Sequence, residues 1–88
     1  MHTVESFEQA IETAKGLGFH IRMEWLGGSG GGDCEIRGQK WIFIDLALNA
    51  AEQLDQVLSA ISREADEHVL PLPIHPQVQG LINLRKTA

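Results

Sequence analysis

The sequence predicts an α+β fold: a helix, a three-stranded antiparallel sheet, a long helix, a proline-rich segment and a short C-terminal helix. Three observations predict it. Apolar residues recur at helical spacing in two separate stretches, residues 4–17 and about 50–68. Between them stand three strand-like runs, and the connections separating these runs are rich in glycine. No helical pattern lies between consecutive strands, so an antiparallel meander is expected. With 88 residues the chain forms one domain, 1–88.

The first helix is expected over residues 4–17. Phe7, Ala10, Ile11 and Ala14 form one apolar stripe, and Glu5, Glu8 and Glu12 lie away from it. Either Thr3 or Ser6 can cap it, Ser6 having Gln9 at capping-box spacing. Gly16 and Gly18 then stop it. Strict alternation follows, with Phe19, Ile21, Met23 and Trp25 on one side of a strand and His20, Arg22 and Glu24 on the other. After the Gly-rich stretch 27–32 comes a short strand over 33–37. Gly38-Gln39 reads as a two-residue turn into a third strand, Trp41 to Leu46. That turn sets Ile36 opposite Trp41 and Cys34 opposite Phe43, all facing the core.

The third strand is apolar on both sides, because Ile42 and Ile44 alternate with Trp41 and Phe43. A sheet with one wet face normally alternates apolar and polar residues. A strand apolar on both sides therefore needs cover on both. Asn49 and Glu52 form a capping box for the long helix, whose stripe is Leu54, Val57, Leu58, Ile61 and Ala65. Pro71, Pro73 and Pro76 then force extended backbone, and Pro76 can open a last helix carrying Val78, Leu81 and Ile82. The segment containing Leu70, Leu72 and Ile74 is the expected cover for the third strand, from the same chain or from a second subunit. Ile42, Ile44, Leu70, Leu72 and Ile74 are thus the candidate interface.

Composition narrows the function. The net charge of −5, with basic residues scattered, lacks the basic stripe of a nucleic-acid binder, so nucleic acid is not an expected partner. The longest apolar run is broken by Asp45 and is too short to span a bilayer, and no signal peptide is expected at the start. One cysteine excludes an intrachain disulfide and suits a reducing cytoplasm. A phosphate cradle at Gly28, Gly30, Gly31 and Gly32, with Cys34 beyond, would need a helix immediately after the loop; a strand follows instead. Glu64 and His68 lie four apart on a helix, as metal ligands often do, and His75 is the only third donor in view. An ordinary i,i+4 pair explains the first two equally well. Cys34 has no histidine tied to it by a motif, and packing as a small apolar residue is its expected role.

The stretch GGGDCEIRGQKWIFID, followed by AEQLDQVLSAI, resembles a class of small uncharacterised bacterial proteins with a Gly-rich segment, a cysteine, an apolar strand ending in Asp and an amphipathic helix. That resemblance covers residues 17–65 and implies no activity. The order strand, turn, I-F-I-D strand, helix is also similar to the lead-in of ImmA/IrrE-type metallopeptidases, whose helix carries H-E-x-x-H. With His68 matched to the second histidine, Glu64 stands where the first should be and Ala65 where the general base should be. The resemblance therefore implies topology without the zinc site.

The expectation is a non-catalytic interaction or regulatory module that self-associates as a homo-oligomer or binds a protein partner, with no cofactor. The alternative is a ligand- or metal-binding protein, or a small hydrolase, using the Gly-rich loop, Cys34 and the group Glu64, His68 and His75.

Overall fold

In the computed structural model, residues 3–28 and 30–87 are described. The elements are α1 (Thr3–Gly16), β1 (His20–Glu24), β2 (Gly32–Ile36), β3 (Gln39–Asp45), α2 (Ala50–Asp66) and α3 (Pro76–Thr87). The fold is α+β, and no helix of the described residues is long and apolar enough to cross a membrane.

Helix α1 buries Ala10 and Ala14 completely, with Phe7 and Ile11 half-covered beside them. Ser6 lies inside the helix and is buried, so it is no cap. Helix α2 starts as its sequence demands. The Asn49 side chain accepts from the Glu52 N–H at 2.8 Å, and the Glu52 carboxylate accepts from the Asn49 N–H at 3.1 Å. Two orphan amides of the first turn are thereby satisfied. Val57, Leu58 and Ile61 of α2 enter the core, joined by Val78 and Ile82 of α3. Each such aliphatic side chain contributes about 1.5–3 kcal/mol when fully buried.

The sheet corrects the expected meander. Its order is β1-β3-β2, with β1 parallel to β3 and β2 antiparallel to β3. β3 inserts between the first two strands, so the Gly-rich segment does not join neighbours. It must cross the end of β3 instead. The turn between β2 and β3 is Arg37-Gly38, one residue earlier than expected, with φ of 53° and 78°. Two consecutive positive φ values suit the right-handed twist of a hairpin. Ile36 therefore faces Gln39, and Cys34 faces Trp41.

The parity of β3 is also reversed from expectation. Parallel pairing sets Ile21 beside Ile42 and Met23 beside Ile44, on the face covered by the helices. Helix α1 lies over β1, and α2 over β2 and β3. Ile42 and Ile44 are completely buried there. Trp41, Phe43, Cys34 and Ile36 belong to the opposite face. Aliphatic β-branched side chains fit the shallow space between sheet and helices, and the bulkier rings take the side without a ceiling. The tail does not supply one, since α3 packs on α1 and α2 rather than on the sheet.

Candidate interaction surface

The face of the sheet turned away from the helices is built by register. Residues opposite one another on neighbouring strands share a face, which gathers His20, Arg22, Trp41, Phe43, Cys34 and Ile36. The His20 and Trp41 rings stack with centroids 4.8 Å apart, and Trp41 and Phe43 follow at 5.9 Å. The three rings form one ladder across β1 and β3. Trp41 and Phe43 are half-buried by this mutual contact, while Ile36 stays 44% exposed and Cys34 is exposed. Cysteine at this position is not a core residue. Arg22 and Glu24 lie on the same face and pair with each other at 2.5 Å.

The predicted interface residues are placed differently. Ile42 and Ile44 are covered by the chain's own helices and cannot meet a partner. Leu70 is 77% exposed, Leu72 is half-buried, and Ile74 packs against the core. Sequence reasoning turned β3 the wrong way round, setting Trp41 and Phe43 toward the core and leaving Ile42 and Ile44 to be covered. The usable signal was in β1: its own alternation puts Ile21 inward, and a parallel neighbour matches Ile42 to it.

The Gly-rich segment wraps a carboxylate of its own chain. Asp45, at the end of β3, is completely buried and accepts from the backbone N–H of Leu26 at 3.0 Å, Gly28 at 2.6 Å and Ala47 at 2.9 Å. Burial alone would push its pKa up; the amides of Ala47, Leu26, Gly28 and Gly30 outweigh that and hold it below its ordinary value. Gln56 of α2 completes the clamp, accepting from the Asp45 N–H at 3.0 Å and donating to the Gly30 carbonyl at 3.3 Å. The amides of Leu26, Gly28 and Gly30 thus serve an internal anion.

Gly31 shows why the letters must be glycine. Its φ is +91°, and a Cβ there would lie 2.8 Å from the Phe43 carbonyl oxygen. Gly28, at φ +85°, has open space around it. Gly31→Ala should therefore cost about 2–3 kcal/mol in urea unfolding, against about 1 kcal/mol for Gly28→Ala, which suffers backbone strain alone. Equal costs would show that the loop does not approach β3 so closely.

Glu64, His68 and His75 do not converge. The Glu64 carboxylate is buried, with one oxygen 2.7 Å from Lys40 Nζ and the other 3.0 Å from His68 Nε2. The hydrogen bond from Lys40 lowers its pKa; burial opposes this and His68 assists. Lys40 also donates to the Leu17 carbonyl at 2.8 Å and sits over the Phe19 ring. One lysine of β3 thereby ties the end of α1 to α2. An ionised carboxylate with both oxygens engaged is poorly placed as a general acid or a metal ligand. His75 lies elsewhere, in a groove of about 650 Å³ along α1 with Pro73 and Glu12, its Nδ1 accepting from the Gln77 N–H. Among the described residues, no three His, Cys, Asp or Glu side chains are grouped to hold a metal ion. A cleft of about 180 Å³ beside Glu64 is lined by Asp33, Arg63 and Lys40, and an ion pair joins Asp33 to Arg63.

Compared with protein-family models, with curated proteins and with solved structures, the chain finds no match.

Proposed function

We propose that this domain is a non-catalytic protein-interaction module that self-associates, and that it does so through its sheet layer. The observation that carries the reading is the open face of the sheet, paved by Trp41, Phe43, Ile36 and Cys34 and covered by no described element of the chain. Aromatic residues on a surface without charge excess are the composition of an interface centre. Acidic residues, the source of the −5 net charge, are concentrated on the outer sides of α1 and α2, at Glu5, Glu8, Glu12, Glu52 and Asp55. Glu24 on this face is paired with Arg22, and its register partner Asp45 is buried under the Gly-rich segment. Two acidic molecules approaching one another meet least repulsion there.

A protein partner suits this surface better than single-stranded nucleic acid. Bases stack on ring faces that lie open to solvent. Here the rings stack on one another, so their faces are largely used within the ladder. An exposed single cysteine suits a reducing cytoplasm, where it stays a thiol.

Sedimentation velocity over a wide concentration range tests the reading. A reversible monomer–dimer equilibrium is expected, and Trp41→Ser should leave the fold intact by circular dichroism. A strict monomer at every concentration would overturn it.

A further inference from the structure

Resting on the reading that the domain self-associates, we infer that the partner is a second copy of this chain, joined edge to edge along β1 in an antiparallel register centred on Met23. β1 is an edge strand. The direction of its free backbone groups follows from its bonds to β3. The Glu24 carbonyl accepts from the Leu46 N–H, and the Leu26 N–H points at Asp45. His20, Arg22 and Glu24 therefore turn their amides and carbonyls toward β3. Ile21 and Met23 turn theirs outward, off the sheet, and the same alternation carried one residue past the end of β1 gives Trp25 that direction.

Two of those outward residues, Met23 and Trp25, are also exposed apolar ones, while Ile21 packs against the core. Met23 is 45% exposed and Trp25 75% exposed, although both share the side-chain parity of buried Phe19. The helix layer reaches Phe19 and Ile21 and stops short of Met23 and Trp25. Something else is needed to cover them.

The stretch Ile21-Arg22-Met23-Glu24-Trp25 reads apolar, positive, apolar, negative, apolar. Turned end for end about Met23, it matches itself. Met23 meets Met23 of the second copy, and each Ile21 meets a Trp25, in hydrogen-bonded pairs made by the outward groups. Each Arg22 meets a Glu24 in the intervening pairs. Opposite charges directly across two strands are favourable, and like charges are not. Shifting the centre to Arg22 would set Arg22 against Arg22. β2, the other edge, fails the same test. Centred on Cys34, it places Asp33 against Glu35 at both ends. The β1 pairing yields a continuous six-stranded sheet, ordered β2-β3-β1 and then β1-β3-β2, with both aromatic ladders on one face. The Arg22–Glu24 pair within each chain then becomes a network across the two-fold axis.

The test uses the full chain and five variants, Trp41→Ser among them. Arg22→Glu and Glu24→Arg, made singly, should each weaken dimerisation about tenfold or more, because like charges then oppose each other twice. Combining the two should restore it to within a few-fold of the parent. Met23→Pro removes an outward N–H and should abolish dimerisation. Circular dichroism checks that each variant is folded, and the surface charge variants keep the test informative if the proline variant is not. Amide exchange followed by NMR should show the Met23 N–H slowing as concentration rises, with no change at the outward amides of β2.

Two results would overturn the proposal. A dimer that persists in Arg22→Glu and is lost in Trp41→Ser would place self-association on the open face and leave only the edge pairing refuted. A parent chain that never dimerises would refute the edge pairing together with the reading it rests on.

Discussion

Asp45→Ala is expected to lower the thermal unfolding midpoint by on the order of 10 °C or more, the largest effect of any single truncation outside the hydrophobic core. Removing the carboxylate takes the acceptor from the amides of Leu26, Gly28 and Ala47. The crossing segment also loses its anchor to β3, since only the weaker Gln56 contact remains. Asp45→Asn is an instructive companion, because an amide puts donors where donors already point. The pH dependence has a definite sign. Asp45 and Glu64 both have folded pKa values held below their ordinary ones. Their contribution is therefore present above the unfolded pKa, near 4, and is lost as pH falls through the depressed folded values. The stability gap between parent and Asp45→Asn should be wide at pH 7 and shrink progressively as pH falls from about 4 through the depressed folded value. Urea midpoints at neutral and acid pH measure it directly. A gap independent of pH would mean that the carboxylate charge is not what holds the loop.

Ile42→Ala is expected to cost about 2–5 kcal/mol in urea unfolding, as for a fully buried aliphatic side chain in a packed core. Phe43→Ala, although it deletes more atoms, should cost less, since Phe43 is only half-buried on the open face. The order of these two numbers decides which side of β3 faces the helices. A larger loss at Phe43 would restore the parity that the aromatic residues suggest from sequence.

Helices are legible in this chain because their signals are local. The stripe of α1 through Ala10 and Ala14, that of α2 through Val57 and Ile61, and the Asn49–Glu52 box each depend on residues within a turn or two. The alternation of β1 was equally readable. What could not be read was which strand each strand would meet. A meander and the observed β1-β3-β2 order contain the same local alternation and the same tight turn. They differ in whether the Gly-rich segment returns to its neighbour or crosses β3. Asp45 holds the answer, but from sequence it only interrupts an apolar run; its meaning comes from amides 17 and 19 residues away.

The sequence by itself therefore determined the α+β class, the number and type of elements, the capping of α2 and the surplus of apolar positions on β3. Only the tertiary structure decided that Ile42 and Ile44 fill the core while Trp41 and Phe43 are left outside. It likewise set the tail on the helices and the glycines around a buried carboxylate. The reason is physical: a period-2 strand with apolar residues on both sides has no inside until its neighbours and their covering helices choose one.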